Sequence, residues 1–253
     1  GVEEVSFRGP FVSLDPFWKQ TAGGAMIVRS DQPVTILGGA QPGTDDLAIA
    51  LRRAPTLVAA DGGAGHARAA GHRPVAVIGD MDSLPAAAAV DFADILHPIA
   101  EQDSTDFDKV LRSVDAPLAI AVGFSGGRLD HALAVLHGLA ARPDRPCIVL
   151  GAEDVTVLCP PRIALDLAPG SVCSLFPLAP CGVVSTGLRW PTDGIAFAPD
   201  TRIGTSNAVT GPVTLAADAP AMLLIVPRAG LDAVIAGVFA ADRWPVRISS
   251  SER

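Results

Sequence analysis

Residues 75–83 read VAVIGDMDS, a short apolar run that ends in a glycine, two aspartates and a serine. Consecutive apolar residues bounded by turn-forming residues are typical of a strand that is buried on both faces of a sheet. Five similar runs occur between residues 34 and 151, separated by stretches of helical periodicity. This alternation predicts βαβ units, and therefore a mostly parallel sheet flanked by helices. The last helix has an apolar stripe that we expect to face the sheet, formed by Leu129, Leu133, Leu136 and Ala140.

The pattern changes after about residue 152, where short strand-like runs punctuated by proline and glycine replace the helical stretches. Frequent short strands with such turns predict an all-β, sandwich-like domain. The sequence therefore predicts three parts. Residues 1–33 form an amino-terminal extension of unknown role, 34–152 an α/β nucleotide-binding catalytic domain, and 153–253 a β-sandwich domain.

The amino-acid composition and the net charge limit which classes of molecule the protein is expected to bind. The 253 residues are 49% hydrophobic and 18% charged, which is typical of a globular chain, and the formal net charge is −8. An acidic chain is a poor match for nucleic acid or an anionic membrane, although local donors or a metal ion can still bind a small anion. The four cysteines form no CxxC pair, so we expect reduced, buried thiols. We predict a cytoplasmic protein with neither nucleic acid nor membrane as a partner.

Clusters of glycine or polar residues follow each of the first five predicted strands. In open parallel sheets, ligands bind beyond the carboxyl ends of the strands, so these clusters should converge on one edge. The clusters span residues 38–39, 61–63, 79–83, 101–109 and 123–131.

The acidic residues at this edge suit a metal ion. Asp80 and Asp82 flank Met81, and on an extended segment residues two apart point the same way. Paired carboxylates suit Mg²⁺, which takes its other ligands from phosphates and water. Asp106, and also Asp103, would add carboxylates from the next loop. The alternative is an aspartate turn in which Asp82 or Ser83 caps the following helix, and Asp82 could serve both as a cap and as a metal ligand.

The segment 104–109, STDFDK, fits a capped helix start. Ser104 or Thr105 would be the cap, and Asp106 and Asp108 would lie in the first turn, where the helix dipole favours acids. We interpret Asp108 as a solvated helix acid. Lys109, one turn into the helix, would reach a phosphate as a point charge.

The segment 123–131, GFSGGRLDH, has the features of a phosphate site. Gly126 and Gly127 let backbone N–H groups approach a phosphate at a helix start, and Arg128 supplies a fork for phosphate oxygens. Asp130 has three possible roles: complementing the helix dipole, holding a cationic ligand or orienting Arg128. His131 is either a ligand or a helix-face residue.

In this order and spacing, four motifs resemble the thiamine pyrophosphokinase family: ADGGA (60–64), GDMDS (79–83), DSTDFDKVL (103–111) and GGRLDHALA (126–134). STGLRW (185–190) and TSNAV (205–209) extend the resemblance, which covers most of the chain. The family joins an α/β nucleotide-binding domain to a β-sandwich that contributes to thiamine binding and dimerisation, and it works as a homodimer. It transfers the diphosphate of ATP to the hydroxyethyl oxygen of thiamine with Mg²⁺, leaving AMP.

The resemblance implies roles for individual residues. The catalytic residues would be Asp80, Asp82, Asp106, Lys109 and Arg128, with Asp80, Asp82 and Asp106 also holding the metal. The ATP and phosphate contacts would be Asp61, Gly62, Gly63, Asp103, Thr105, Gly126 and Gly127. The thiamine contacts would be Asp130, His131, Trp190, Ser206 and Asn207, with Trp190 stacking on the thiamine rings across the dimer. Taken without the resemblance, Trp190 is equally a core aromatic of the sandwich. The chain departs from the family pattern at Met81, where phenylalanine is common.

Two other functions fit the same residues. One is a pyrophosphokinase for another hydroxymethyl heterocycle, such as a pterin, on a similar catalytic domain. The other is a non-catalytic sensor of nucleotide or thiamine diphosphate. The motifs in the carboxy-terminal part favour thiamine over a pterin, and the full set of acids favours an enzyme over a sensor.

Overall fold

The structure is a computed structural model that describes residues 26–101 and 103–246. Its first eight strands are β1 (Val28–Arg29), β2 (Val34–Leu37), β3 (Thr56–Ala60), β4 (Ala76–Gly79), β5 (Leu96–Pro98), β6 (Val114–Asp115), β7 (Ala119–Val122) and β8 (Cys147–Leu150). The remaining strands are β9 (Asp154–Leu158), β10 (Arg162–Leu165), β11 (Val172–Pro177), β12 (Cys181–Leu188), β13 (Ala196–Phe197), β14 (Gly204–Ala217) and β15 (Met222–Pro227). The α-helices are α1 (Asp46–Leu51), α2 (Gly63–Ala69), α3 (Ala86–Asp91), α4 (Asp106–Ser113), α5 (Leu129–Ala141) and α6 (Leu231–Ala240).

Six strands form the parallel part of the fold, in the order β5-β4-β3-β2-β7-β8. Successive residues of β2 belong to different cores: Ile36 packs in the cluster that includes α4 and α5, and Leu37 in the cluster that includes α1 and α6. The sheet is therefore covered on both faces, which explains its continuous apolar strands. The chain leaves β2 toward β3 and later returns to place β7 on its other side, so the order of the strands switches at β2 and β7.

The carboxy-terminal part continues this sheet in antiparallel fashion. Strand β9 turns back beside β8, followed across the sheet by β15, β11 and β14. The first part of β14 pairs with β11, and its later part runs between β10 and β12. One long strand thus belongs to both layers of the β-rich part, which confirms the predicted α/β plus sandwich-like class. The large sheet is mixed, with its six amino-terminal strands parallel, and a separate two-stranded sheet pairs β1 with β6 in parallel. The predicted domain bounds remain a prediction, and residues 1–25 and 247–253 lie outside the described residues.

Helix α5 presents a different face to the protein from the one expected. Leu129 and Leu133 are 72% and 56% exposed, so the predicted stripe is wrong at its first two positions. The buried positions of α5 are instead Val135, Gly138 and Leu139. A Cβ on Gly138 would lie 2.7 Å from Cδ1 of Phe107, so this glycine permits close packing of α5 on α4. That contact sets the rotation of the helix.

The four cysteines are unpaired and buried, as predicted. Burial raises the pKa of Cys147 and of Cys159 to about 12, which leaves both thiols protonated and unreactive at neutral pH. Among the described residues, no helix combines the length and apolarity needed to cross a membrane.

Candidate active site

Three aspartates meet at the carboxyl edge of β3 and β4. One carboxylate oxygen from each of Asp61, Asp80 and Asp82 lies within 4.8 Å of the others. The two strands are parallel neighbours, so residues that follow them lie side by side. Gly79 makes this possible, since a Cβ there would lie 2.7 Å from Cβ of Asp61. Sequence reasoning missed this supporting role of Gly79.

Asp80 and Asp82 converge through a turn rather than through an extended segment. Met81 between them has φ 71°, in the left-handed region, which costs about 1–2 kcal/mol for a residue with a side chain. The Asp82 N–H donates to Asp80 Oδ1 at 3.3 Å, and Ser83 Oγ donates to Asp82 Oδ1 at 3.0 Å. The N-cap position of α3 belongs to Pro85, and no described side chain donates or accepts a capping hydrogen bond there, so the prediction that Asp82 or Ser83 caps this helix is wrong. Strain of this kind is typical of functional loops.

Asp61 is fully buried and only half satisfied. Its Oδ2 accepts a hydrogen bond from the Ser83 N–H at 2.9 Å, whereas its Oδ1 has no partner among the described residues. Burial, together with the nearby carboxylates of Asp106, Asp80 and Asp82, raises the pKa of Asp61 to about 6. A buried carboxylate oxygen without a donor, beside two more carboxylates, fits a hard cation such as Mg²⁺. These residues therefore suit the predicted metal.

Lys109 supplies the positive charge of the cluster. Its side chain is 1% exposed, and its Nζ lies 2.7 Å from Asp80 Oδ2 and 3.6 Å from Asp106 Oδ1. The hydrogen bond from Lys109 holds the pKa of Asp80 down to about 2. For Asp106, burial raises the pKa, and the charge of Lys109 opposes this. Lys109 thus joins two of the predicted metal ligands, Asp80 and Asp106.

The start of α4 follows the predicted capping pattern. Thr105 Oγ1 accepts a hydrogen bond from the Asp108 N–H at 3.2 Å, so Thr105 is the cap, and its phosphate contact remains a prediction. Asp103 is exposed. Asp108 is not a solvated acid: its carboxylate pairs with Arg142 at 2.8 Å, and this ion pair joins α4 to α5. An Asp–Arg pair 34 residues apart leaves no local signal in the sequence.

The glycine-rich stretch before α5 has an open backbone. Gly126 and Gly127 have φ of 82° and 73°, and a Cβ on either would meet nothing within 4 Å. Arg128 and Asp130 form a bidentate pair with distances of 3.1 and 2.5 Å, in which both side chains are mostly exposed. The hydrogen bond between them lowers the pKa of Asp130. The structure contains two of the three predicted roles of Asp130, since it lies in the first turn of α5, where an acid complements the helix dipole, and it also orients Arg128. Its contact with a cationic ligand remains a prediction. His131 is exposed, and its N–H donates to Asp130 Oδ1.

The other glycine pair at this edge is used for packing. A Cβ on Gly63 would lie 2.0 Å from the carbonyl oxygen of Leu37, and a Cβ on Gly62 would lie 3.1 Å from Cα of Gly39. The loops after β2 and β3 thus contact each other through glycine backbone. This packing accounts for Gly62 and Gly63, and their contacts with ATP remain predictions.

The three predicted thiamine contacts of the β-rich part are neighbours in space. Asn207 is buried, and its side chain accepts a hydrogen bond from the Trp190 N–H at 3.1 Å and donates to the Trp190 carbonyl at 2.6 Å. Ser206 adjoins Asn207 with φ 63°. The Trp190 indole is 56% exposed, which rules out the core alternative. The Arg189 guanidinium lies 5.1 Å from the Trp190 ring centroid, so the exposed ring already attracts a cation.

Trp190 and the acidic cluster are far apart within one chain. The Arg189 N–H donates to the Ala208 carbonyl, which places this segment at β14, whereas Asp80 directly follows β4. Eight strand-to-strand steps separate β14 from β4 in the sheet. At about 4.8 Å a step, this is on the order of 40 Å along the sheet. One chain therefore does not bring all the predicted site residues together.

Comparisons with known proteins point to one family. A model described as thiamin pyrophosphokinase, catalytic domain, matches residues 47–150, and one described as thiamin pyrophosphokinase, vitamin B1 binding domain, matches residues 161–222. Thiamine pyrophosphokinase 3 of Oryza sativa subsp. japonica is 28% identical over 159 residues, which are 54% of this chain and 59% of that protein. Thiamine pyrophosphokinase 2 of Arabidopsis thaliana is 27% identical, covering 54% of this chain and 59% of that protein. The chain thus spans about three fifths of the length of these curated relatives.

Solved structures of similar proteins share the fold. Thiamin pyrophosphokinase from Candida albicans has a TM-score of 0.65 and 15% identity, covering 79% of this chain and 92% of that one. Thiamin pyrophosphokinase from Geobacillus thermodenitrificans has a TM-score of 0.64 and 24% identity, covering 78% and 97%. The fold as a whole, including the β-rich part, is therefore the one found in these proteins.

Proposed function

Since this chain belongs to the thiamine pyrophosphokinase family, we propose that it transfers the diphosphoryl group of ATP to thiamine, yielding thiamine diphosphate and AMP. One observation carries the proposal. Asp61, Asp80, Asp82 and Lys109 converge at the carboxyl edge of the parallel sheet, inside the stretch that the catalytic-domain model matches.

The proposed reaction exchanges one phosphorus–oxygen bond for another. The hydroxyethyl oxygen of thiamine bonds to the β-phosphorus of ATP, the bond from that phosphorus to the oxygen kept by AMP breaks, and the hydroxyl proton is released to solvent. Such transfers depend on positioning and charge neutralisation more than on covalent catalysis. Mg²⁺ held by Asp61, Asp80 and Asp82, with Asp106 as a predicted further ligand, would supply charge neutralisation at the phosphates.

The residues of the chain contribute the rest. Lys109 is a buried fixed charge beside Asp80, so it keeps this carboxylate ionised and ready to bind a cation. Arg128 is exposed, and within residues 26–101 and 103–246 its fork is held by Asp130 alone, which leaves it able to turn toward phosphate oxygens. The open backbone of Gly126 and Gly127 offers N–H groups at the start of α5.

The exposed indole of Trp190 supports thiamine as the acceptor. Thiamine carries a cationic ring, and an indole face attracts a cation, whereas a neutral pterin alcohol gains less from such a face. Asn207 holds the backbone of Trp190 by hydrogen bonds to both its N–H and its carbonyl oxygen. The match of residues 161–222 to a vitamin B1 binding domain supports the same choice.

We also propose a homodimer in which Trp190 of one chain completes the acidic site of the other, because about 40 Å along the sheet separates the two within a chain. Complementation tests this directly. The homodimer of Trp190→Ala and the homodimer of Asp80→Asn should each be nearly inactive. In the mixed dimer, the acidic cluster of the Trp190→Ala chain meets the tryptophan of the Asp80→Asn chain, so one of the two sites contains neither change. Activity that returns on mixing and exchange supports a shared site. Persistent inactivity, with exchange verified, would place each site within one chain.

The reaction itself is tested by release of AMP. Purified protein with ATP and Mg²⁺ should release AMP and form thiamine diphosphate when thiamine is added, and not when a hydroxymethylpterin is added. Release with the pterin alone would favour the pterin enzyme, and tight binding of nucleotide without release would favour a sensor. A cytoplasmic location remains a prediction based on the four unpaired cysteines, and the exclusion of nucleic acid and membrane as partners remains a prediction based on the net charge of −8.

A further inference from the structure

A partly buried ion pair connects the β-rich part of the chain to the loops at the carboxyl edge of the parallel sheet. Arg228, directly after β15, pairs through Nη2 with Oδ1 of Asp46 and donates through Nη1 to the carbonyl oxygen of Gly151 at 2.7 Å. The Asp46 side chain is 9% exposed and that of Arg228 is 26% exposed. Arg228 therefore holds both the start of α1 and the turn after β8.

Asp46 in turn closes the loop that follows β2. The Gly43 N–H donates to Asp46 Oδ2 at 2.8 Å, and a Cβ on Gly43 would lie 2.9 Å from both oxygens of that carboxylate. The other end of the loop is packed against glycine backbone, since a Cβ on Gly39 would lie only 3.2 Å from Cα of Gly62. Residues 38–46 are thus held at both ends, and Arg228 acts on one of them through Asp46.

The loop 38–46 lies where a sheet of this topology binds its ligand. Strand β2 is flanked by β3 and β7, and the order of the strands switches between β2 and β7. Ligands of open α/β sheets bind in the crevice outside the carboxyl ends of the strands at such a switch point. The second acceptor of Arg228 also adjoins this crevice, since a Cβ on Gly151 would lie 3.7 Å from Ser125 Oγ in the glycine-rich stretch after β7.

We infer that Arg228 and Asp46 are positioning residues for nucleotide binding, with Arg228 of the β-rich part setting the loop 38–46 at the mouth of the crevice through the Asp46 carboxylate. Neither residue is expected to contact the nucleotide. The inference rests on the proposed function, from which it takes ATP as the nucleotide. It adds that the β-rich part governs nucleotide affinity as well as contributing to thiamine binding.

A second, more exposed ion pair between α1 and the β-rich part serves as the control. Arg53, just after α1, pairs with Asp232 in α6 through Nε–Oδ1 and Nη2–Oδ2 distances of 2.5 and 2.9 Å. This pair also joins α1 to the segment after β15, but it lies at the far end of α1 from the loop 38–46. If ion pairs here only dock α1 on the β-rich part, the two pairs should behave alike.

The experiment compares Arg228→Gln and Asp46→Asn with Arg53→Gln and Asp232→Asn. Calorimetry measures the Kd of a non-hydrolysable ATP analogue with Mg²⁺, steady-state kinetics measures kcat and both KM values, and urea unfolding measures stability. We expect the first two variants to raise the Kd and the KM for ATP roughly ten- to hundredfold, as misplaced binding groups do. The kcat and the KM for thiamine should stay within about threefold of wild type. The control variants should keep wild-type nucleotide affinity whatever their loss of stability.

Arg228→Lys should recover part of the affinity, since a point charge still pairs with Asp46 but cannot also reach Gly151 with a fork. It serves as the second variant if Arg228→Gln does not fold. Hydrogen exchange at the Gly43 amide gives a direct readout: Asp46→Asn should speed it and Asp232→Asn should not. Equal nucleotide affinity in both sets of variants would overturn the inference. Wild-type protein that binds ATP but forms no thiamine diphosphate would overturn the proposed reaction and leave the affinity comparison intact.

Discussion

The ammonium group of Lys109 lies 2.7 Å from Oδ2 of Asp80, and 1% of the lysine side chain is exposed. A buried cation in this position compensates one carboxylate of a cluster that also contains Asp61, Asp82 and Asp106. Carboxylates crowded into a partly buried site are unfavourable without further positive charge. The geometry of the cluster therefore favours binding of a divalent cation.

Replacement of Lys109 by methionine should strongly destabilise the metal-free protein. The change keeps most of the buried stem and removes the charge that faces Asp80, and loss of one partner of a buried pair typically costs about 3–5 kcal/mol. Urea unfolding in EDTA measures the loss, and added Mg²⁺ should reverse part of it. Arg73→Met is the control, since Arg73 pairs with Asp94 at 2.6 Å with both side chains at least half exposed. If the two variants lose equal stability, Lys109 does not have the electrostatic role described.

The sequence was sufficient to predict the class of fold because it depends on local patterns. Continuous apolar strands and intervening helices predicted the α/β part, and proline-punctuated short strands predicted the β-rich part. The rotation of α5 was not predictable, because this helix has apolar residues around most of its circumference. Contact between Gly138 and Phe107 decides which side is buried, and no pattern within α5 contains that information.

The acids of the site were predictable for the same reason, since they follow apolar strands in the sequence. Their geometry was not. The left-handed turn at Met81 depends on the packing of neighbouring loops, and the half-satisfied burial of Asp61 depends on Gly79 and Ser83. The pair of Arg228 with Asp46 spans 182 residues, so only the folded chain brings it together.

The free energy of unfolding of the metal-free protein should fall as pH rises through the titration of Asp61. Burial raises the pKa of Asp61 from its ordinary value of 3.8 to about 6. Between about pH 4 and pH 6 the unfolded chain has released this proton while the folded chain retains it, so the free energy of unfolding falls as pH rises. Asp80, whose pKa is lowered to about 2, contributes the opposite trend, but below this window.

Asp61→Asn should remove that decrease and keep the hydrogen bond from the Ser83 N–H. Relative to wild type, the variant should gain on the order of 1–3 kcal/mol between pH 4 and pH 7 in EDTA, since one pKa unit corresponds to about 1.4 kcal/mol. The measurement is urea unfolding of both proteins across this range. If the free energies of unfolding of the two proteins change with pH in parallel, the pKa of Asp61 is not raised in the folded protein. With Mg²⁺ present, wild type should regain stability and Asp61→Asn should regain less.

Asp80→Asn and Asp82→Asn should each reduce turnover by orders of magnitude, because both carboxylates belong to the proposed metal site. Asp82→Asn is the cleaner variant, since its effect on Lys109 is smaller: the lysine contacts Asp80 and Asp106. The measurements are AMP release and Mg²⁺ binding by calorimetry, with circular dichroism as the control for folding. Near-normal turnover at saturating Mg²⁺ in either folded variant would show that Asp80 and Asp82 form a turn and do not bind a catalytic metal.

The exposed Arg128–Asp130 pair gives the sharpest test of the phosphate site. Because both side chains are mostly exposed, neither Arg128→Ala nor Asp130→Asn should change the free energy of unfolding appreciably, so kinetic effects report on the site. Arg128→Ala should lower the rate at saturating ATP, and Arg128→Lys should recover only part, since a point charge does not reproduce a bidentate contact. Asp130→Asn should resemble Arg128→Ala if the carboxylate only orients the arginine. It should instead raise the KM for thiamine if it faces the ring.

Gly127→Ala should also lower the rate, because the methyl enters the open space beside a backbone with φ 73°. Steady-state kinetics with thiamine and ATP varied separately distinguishes these results. Wild-type kcat and KM values in all four variants would show that the phosphates do not bind at the start of α5.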